Sequence, residues 1–366
     1  MNQKMNVLKA LGIICVVMVH AGQDMVNWIP SWRMPMFIFL SGYFFKETAM
    51  DNIKSYIIKK AKGLLVPMFG WHLFYGIIIT LLLSCGLVKF GSKLNLKSFF
   101  VDSVLHGHQY VFSLALWFVV ILFLVQCVYI VIRKIYIKFS DSEWILLGVL
   151  ALINILSVAL AKEKVQHIHY PNLYLPLLKV MFFTVFFHLG YVYKNLIEKY
   201  DKFSWVKIFL PVVINMILSK VFLVKLGYTP SWMTFPTKYL FMPLVVSVIG
   251  IYFWMHVSDL IVKVSSEKDT IYRCIKKIGD STFPIMVHHL FCFWLLSTFF
   301  LFLKEQHYFT LAYFDYNKYF TSIWYRLPRY QPVMNYVYIT VGVVGSLILD
   351  YIYKYVKGCA CLMIKK

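Results

Sequence analysis

The chain has 366 residues, of which 60% are hydrophobic and only 14% carry a charge. A soluble domain has about 25% charged residues, so this composition excludes an ordinary soluble protein and indicates a membrane protein. The net charge of +21 would suggest a nucleic-acid partner for a soluble chain, but here the lysines follow the predicted membrane topology, and we expect no such partner.

Apolar stretches recur along the whole chain. A helix needs roughly 20 mostly apolar residues to cross a bilayer, and ten stretches approach this length. They lie near 6–22, 32–46, 63–84, 114–132, 143–161, 172–192, 207–224, 238–258, 281–303 and 333–356. Because the runs are continuous and do not alternate with polar residues, they argue against an outer-membrane barrel. The sequence predicts an all-α polytopic membrane protein with about ten transmembrane helices, in a single domain covering 1–366.

Lysine and arginine are concentrated in alternate connections between these stretches. The basic segments are 46–62, 133–142, 193–207, 259–280 and 354–366. Because cytoplasmic loops are enriched in Lys and Arg, this pattern places both termini in the cytoplasm and predicts a multi-pass protein of the cell (inner) membrane. The seven cysteines include no CxxC pair, so we expect no structural disulfide, no metal and no permanently bound cofactor.

The first stretch, KALGIICVVMVHAG at 9–22, begins with Lys9 and carries His20 near its other end. On a helix, the eleven residues between them correspond to about 16 Å. A cation at the cytoplasmic end is suited to phosphate groups, and the imidazole could act at the far end of a long cofactor arm such as that of an acyl-CoA. Asp24, one turn further on, could orient the ring. Alternatively, Lys9 snorkels and His20 is an interfacial polar residue.

The second stretch, SWRMPMFIFLSGYFFKE at 31–47, places Arg33 at its outer end. The predicted short outer connection brings Arg33 near His20, so this arginine is either a functional residue or an interfacial anchor. Ser41 and Gly42 are small residues that allow helices to approach closely, and packing is the simplest interpretation of that pair.

Lysines also precede the third stretch and occur within the sixth. Lys59, Lys60 and Lys62 lie at a predicted cytoplasmic helix start, where they could bind an anionic cofactor such as a nucleotide. The topology rule alone also explains them. Lys179 lies deep in the sixth stretch with no carboxylate nearby in the sequence. It could face an anion or a water-filled cavity, or it could snorkel.

The ninth stretch contains IGDSTFPIMVHHLF at 278–291, with His288 and His289 inside the predicted span. Adjacent helical residues point about 100° apart, so at most one of the two faces a given cavity. Carboxylates are scarce, and only Asp350 in the last stretch lies well inside a span. Because ion-coupled transporters and proton relays use buried carboxylates, this set favours an anionic substrate or histidine-assisted acyl transfer.

The predicted outer connection 304–332 is long and dense in Tyr, Phe, Trp and Arg. Its aromatic rings could anchor the protein in the headgroup region of the membrane. They could also stack on sugar faces and line a vestibule for a glycan. The sequence leaves both interpretations open.

Five segments, in this order, resemble the acyltransferase-3 family of integral membrane acyltransferases, most closely its stand-alone branch of polysaccharide and fucose O-acetylase-like proteins. They are NVLKALGIICVVMVHAG, RMPMFIFLSGYFF, IIKKAKGLLVPMF, LWFVVILFL at 116–124 and IGDSTFPIMVHHL. The family transfers acyl groups from cytoplasmic acyl-CoA to hydroxyls of extracytoplasmic or lipid-linked glycans. The resemblance therefore implies a membrane O-acyltransferase, and first of all an O-acetyltransferase with acetyl-CoA as co-substrate.

The resemblance also implies roles for individual residues. His20 takes the position of the catalytic base, Lys9 that of a basic residue contacting the acyl-CoA, and His289 that of a late histidine. The predicted site residues are, for catalysis, His20, Asp24 and His289; for the cofactor, Lys9, Lys59, Lys60, Lys62 and Lys179; and for the acceptor, Arg33 and Trp117.

The chain departs from the family pattern at several positions. Asn6 stands where many members have an acid, and Arg33 where related sequences often have histidine. Lysine replaces arginine at 9, 59, 60 and 62, which loses bidentate phosphate geometry. No esterase-like domain follows the tenth stretch, so we expect the chain to act alone or with a separate partner.

Two other classes of membrane protein remain as alternatives, a glycan exporter or flippase and a glycan polymerase. An exporter would use the same aromatic connection and intramembrane cations for an anionic lipid-linked sugar. The spacing of Lys9 and His20 favours the enzyme, because a transporter has no reason to place a base one cofactor arm away from a phosphate contact.

Overall fold

The structure is a computed structural model that describes residues 2–22, 31–164, 173–222, 226–306, 314–327 and 332–364. Within these residues the chain forms helices and no β-strand, which confirms the all-α prediction. The helices are α1 Gln3–His20, α2 Arg33–Tyr43, α3 Ile53–Ser84, α4 Ser103–Leu105, α5 Trp117–Tyr136, α6 Glu143–Lys164, α7 Tyr174–Val192, α8 Val206–Phe222, α9 Met242–Val264, α10 Thr270–Asp280, α11 Thr282–Glu305, α12 Tyr316–Thr321 and α13 Pro332–Ile364. The largest apolar core lies among α2, α5, α6, α7 and α9.

Eight of the ten predicted spans are helices long and apolar enough to cross a bilayer. The other two are shorter, since α2 has 11 residues and α8 has 17. An 11-residue helix is only about 16 Å long, yet Tyr43 at the end of α2 accepts a hydrogen bond from Asn2 before the start of α1 (2.8 Å). Although shorter than predicted, α2 therefore returns the chain to the end of the bundle where α1 begins.

Two of the basic connections meet at this end of the bundle. The side chain of Asn2 donates to Glu198, in the connection after α7 (3.3 Å). Gln3 donates to Glu267, in the connection before α10 (3.0 Å). We call this the basic end.

Two further basic connections, 46–62 and 133–142, also meet each other. Arg133 near the end of α5 pairs with Glu47 (2.8 Å), and Tyr191 near the end of α7 donates to the same carboxylate (2.6 Å). At the opposite end, the backbone N–H of Lys89 donates to the carbonyl of Phe320 (2.7 Å), which joins two connections that are poorer in charge. These four basic connections and the two poorer in charge thus lie as the charge pattern predicts. The cytoplasmic location of the basic end stays a prediction.

The basic segment 259–280 contains a helix of its own, α10, which was predicted only as a connection. Its last turn packs on α1, where a side chain at Gly279 would collide with the backbone carbonyl of Asn6. The buried amide of Asn6 donates to the carbonyl of Lys276 (3.2 Å). Asn6 therefore holds α10 against α1.

Close packing of α2 against α7 fixes the helix that carries Arg33. A side chain at Gly42 would collide with the carbonyl of Phe187, and one at Gly190 with the carbonyl of Phe39. Small residues let two membrane helices approach at backbone distance. The packing interpretation of Gly42 is therefore confirmed.

We predict that Gly190→Val destabilises the protein, because the new methyl groups would occupy the position of a backbone carbonyl that cannot move independently of α2. Overpacking costs roughly 1–3 kcal/mol, and thermal unfolding of the detergent-solubilised protein measures the loss. Gly70→Val is the matched control, since no atom lies within 4 Å of a side chain added there. Equal unfolding midpoints for the two variants would contradict the prediction.

Candidate active site

A cavity of about 790 Å³ lies among α1, α2, α3, α5, α11 and the connection before α9. Its walls are mainly apolar, with side chains such as Ile13, Phe37 and Leu122. The predicted site residues that line it are Lys9, His20, Arg33, Lys60 and Trp117. The structure thus brings together residues from four separate stretches of the sequence.

The helical period explains how α1 contributes two of these residues. Lys9, Ile13, Val16 and His20 all line the cavity, and they recur at intervals of four, three and four residues. Because an α-helix has 3.6 residues per turn, the eleven residues from Lys9 to His20 make about three turns. Both side chains therefore lie on the same face of α1, about 16 Å apart along the helix axis.

His20 forms a hydrogen bond with His289 of α11. The distance from Nδ1 of His20 to Nε2 of His289 is 2.7 Å. The two rings are nearly parallel, with centroids 5.0 Å apart and planes inclined by 9°. The neighbouring His288 instead contacts the hydroxyl of Tyr75 (2.6 Å), so only one histidine of the adjacent pair reaches His20.

A backbone carbonyl determines which nitrogens of this pair carry hydrogen. Nδ1 of His289 lies 2.8 Å from the carbonyl oxygen of Ile285. An oxygen of this kind only accepts, so Nδ1 of His289 is the donor, and in the neutral ring its Nε2 is then an acceptor. Nδ1 of His20 must therefore donate to His289. The remaining nitrogen, Nε2 of His20, has a free lone pair and is the basic atom of the pair.

The ends of the cavity differ in chemistry. Lys9 and Lys60 lie toward the basic end, since Lys60 belongs to the connection 46–62. Arg33, Trp117 and the segment Tyr228–Ser231 line the opposite part. One cavity therefore joins a cationic end to an end that offers an aromatic ring, a guanidinium group and several hydroxyls.

The segment Tyr228–Ser231 was not predicted as part of the site. Ser31, just before α2, accepts a hydrogen bond from the backbone N–H of Tyr228 (2.8 Å). Thr229 and Thr234 exchange two backbone hydrogen bonds (3.0 and 3.1 Å). This short turn brings the Thr229 and Ser231 side chains to the cavity. Its sequence, TPSW, has the Pro and Ser of a turn but nothing that indicates a distant cavity.

Other predicted site residues lie elsewhere. Lys59 and Lys62 are exposed and line a separate shallow pocket at the start of α3. Lys179 is buried with its ammonium group 4.5 Å from the centroid of the Trp117 ring, and it does not line the cavity. No carboxylate among the described residues forms an ion pair with it. Asp24 lies outside the described residues, so its role stays a prediction.

His108 supports the wall near Trp117. Its ring stacks on Trp232 with centroids 4.1 Å apart. Burial, together with the nearby charge of Lys179, lowers the pKa of His108 to about 3. The ring is therefore neutral at physiological pH, and His108 adds packing without adding charge.

Two further residues near His20 were missed, because the segment 304–332 shows only a general aromatic pattern. The ring centroid of Trp324 lies 5.5 Å from that of His20. Arg326 donates from Nη2 to the backbone carbonyl of His20 (3.2 Å). The aromatic connection thus contacts the end of α1 directly.

Comparison with models of known protein families gives a match over most of the chain. A family model described as an acyltransferase domain, Acyl_transf_3, matches residues 2–355. Searches of curated proteins and of solved structures found no match. The matched region includes α1 and α11, which carry His20, a residue of the cavity wall, and its hydrogen-bond partner His289. The chain therefore belongs to the acyltransferase-3 family and is a membrane acyltransferase.

Proposed function

We propose that this acyltransferase moves an acetyl group from cytoplasmic acetyl-CoA to a hydroxyl of a cell-surface or lipid-linked glycan, and that it works in the cell (inner) membrane. The observation that carries the proposal is one continuous cavity with Lys9 and Lys60 at its basic end and His20 further along. This arrangement suits a donor that enters from the basic end and an acceptor that enters from the opposite end.

The basic end suits an acyl-CoA. The phosphates of acyl-CoA are strong acceptors for lysine ammonium groups, and Lys9 and Lys60 line the cavity where those phosphates would lie. The distance of about 16 Å between Lys9 and His20 fits an extended arm that delivers the thioester to the imidazole. Lys59 and Lys62, exposed on the same part of α3, would attract the polyanionic donor through the field near the surface.

The opposite end suits a sugar. Trp117 offers a flat apolar surface for a pyranose ring, and the hydroxyl residues Thr229 and Ser231 line the same part of the cavity. Arg33 adds donors for sugar oxygens or for an anionic group on the glycan. This combination supports a glycan as the acceptor.

The histidine pair supports direct transfer. Nε2 of His20 takes the proton of the acceptor hydroxyl while the hydroxyl oxygen attacks the thioester carbonyl. When the tetrahedral intermediate collapses, the C–S bond breaks, the ester forms, and the proton on His20 passes to the departing CoA thiolate. His289 keeps Nδ1 of His20 hydrogen-bonded throughout. General-base catalysis of this kind contributes roughly 10²–10⁴-fold to the rate.

An acyl-serine is not needed for this chemistry. Ser41 also lines the cavity, but its hydroxyl donates to the carbonyl of Phe37 (3.1 Å). Membership of the acyltransferase-3 family also favours the enzyme over a glycan exporter, flippase or polymerase.

We predict that O-acetylation of the cell's glycans depends on His20. NMR of surface glycan from cells with the wild type, with His20→Ala or with no protein should show alkali-labile acyl signals only for the wild type. The chemical shifts would identify the acyl group and the hydroxyl. Identical acyl signals in all three, together with less surface glycan in cells lacking the protein, would support an exporter instead.

We predict that His289→Ala slows acyl transfer at least tenfold, because Nδ1 of His20 loses its acceptor and the ring can rotate away from the acceptor hydroxyl. Transfer of labelled acetyl from acetyl-CoA to glycan in inverted membrane vesicles measures the rate. His288→Ala is the matched control, since His288 contacts Tyr75 while His289 contacts His20. A similar loss in both variants would argue against the histidine pair.

We predict that the lysines differ in their effect on the KM for acetyl-CoA. Lys9→Gln and Lys60→Gln should each raise it about tenfold, equivalent to the loss of roughly 1.4 kcal/mol, because these residues line the cavity. Lys59→Gln and Lys62→Gln should raise it by about twofold, and added salt should remove that effect. Equal changes for all four variants would contradict this division.

A further inference from the structure

Arg326 is a largely buried cation at the opposite end from the lysines. Its guanidinium carbon lies 4.4 Å from the ring centroid of Phe293 and 5.4 Å from that of Tyr338. Burial lowers the pKa of Arg326 to about 10, so the side chain remains charged at neutral pH. The two rings therefore hold a full positive charge beside α11 and α13.

The hydrogen bonds of this guanidinium go to backbone carbonyls. Nη1 donates to Ile323 (2.8 Å) and Tyr325 (2.7 Å), and Nη2 donates to His20 (3.2 Å). Within the described part of the chain, no carboxylate forms an ion pair with Arg326. A buried charge is normally paired with an opposite charge. That the guanidinium of Arg326 binds three backbone carbonyls instead therefore needs a structural explanation.

The end of α1 provides that explanation. The last carbonyls of a helix have no partner within the helix. Here the N–H groups of Ala21 and Gly22 donate to the carbonyls of Val17, Met18 and Val19, and Arg326 donates to that of His20. A cation is also favourable at a helix C-terminus. Arg326 thus completes the helix terminus at the residue that carries the base.

The same segment also contacts the imidazole of His20. Trp324, two residues before Arg326, has its ring 5.5 Å from that of His20 and inclined by 60°. The centroid of the hydrogen-bonded His289 ring is 5.0 Å from that of His20. His20 is therefore held at its backbone by Arg326 and at its ring by Trp324 and His289.

We propose that Arg326 is a positioning residue for acyl transfer, which fixes the backbone of His20 so that the imidazole meets the acceptor hydroxyl. Arg326 does not line the cavity, so it acts through His20. The inference rests on the proposed function of His20 as the base. A base must lie within about 2.6–3.2 Å of the proton it removes, and a displacement of about 1 Å can cost about 100-fold in rate.

The test compares Arg326→Gln and Arg326→Lys with Lys304→Gln. Lys304 is a matched control, because its ammonium also donates to a backbone carbonyl, that of Phe314 (3.3 Å), and also lies over an aromatic ring, that of Tyr316 (4.3 Å). We expect both Arg326 variants to lower kcat about 10- to 100-fold, with the KM for acetyl-CoA within about twofold of the wild type. Lys304→Gln should keep its kcat within the same twofold limit.

The two Arg326 variants distinguish an effect on the position of His20 from an effect of lost charge or of misfolding. Lysine keeps the charge but not the planar fork of donors, so wild-type kcat in Arg326→Lys would overturn the proposal. Rates are expressed per folded protein, measured by thermal unfolding and size-exclusion chromatography. If Arg326→Gln does not fold, Arg326→Lys carries the test. Unchanged kcat per folded protein in the Arg326 variants would also overturn it.

A second readout does not depend on activity. Diethyl pyrocarbonate modifies imidazole nitrogens, and mass spectrometry follows the modification of His20. We expect modification several-fold faster in Arg326→Gln than in the wild type, because the end of α1 is released, and an unchanged rate would count against the proposal. A wild type that transfers no acyl group would overturn the proposed function, whereas an active wild type with unaffected Arg326 variants would overturn only this inference.

Discussion

The hydrogen bond between His20 and His289 is the interaction on which the site depends. It joins helices whose histidines are 269 residues apart in the chain, and it holds the His20 side chain, which lines the cavity, against α11. Without it, either nitrogen of the neutral His20 ring could carry the hydrogen. With it, one nitrogen of His20 is a defined base. The close contact of α2 with α7 and the arginine contact at the end of α1 hold the surrounding helices and the base in place.

Much of the fold follows from the sequence because the bilayer restricts the alternatives. Backbone groups in lipid must be paired within the segment, so long apolar runs such as 114–132 and 281–303 could only be helices. The positions of Lys9 and His20 on one face follow from the helical period alone. The length of α2 does not follow from the sequence, because the position of this helix depends on glycines that allow contact with α7. The helix α10 was not predicted, because its segment has the charge of a loop.

The candidate site was harder to predict because its members are selected by tertiary packing. The charge rule gives the same sign to Lys59, Lys60 and Lys62, and only the orientation of α3 places one of them in the cavity. Periodicity allows at most one of His288 and His289 to face His20 but does not choose between them. The choice of His289 came from the family resemblance. Arg326 could not be found from spacing, since its partners are backbone carbonyls that every residue has.

The acceptor that fixes the tautomer of His289 is a peptide carbonyl one turn earlier on its own helix. An orienting carboxylate can be lost through a single substitution, whereas the carbonyl at position 285 is present whichever side chain occurs there. The orientation of the base is therefore protected against sequence drift. Substitutions in the cavity wall around Arg33 and Trp117 therefore leave the hydrogen bond that orients the histidine pair unchanged.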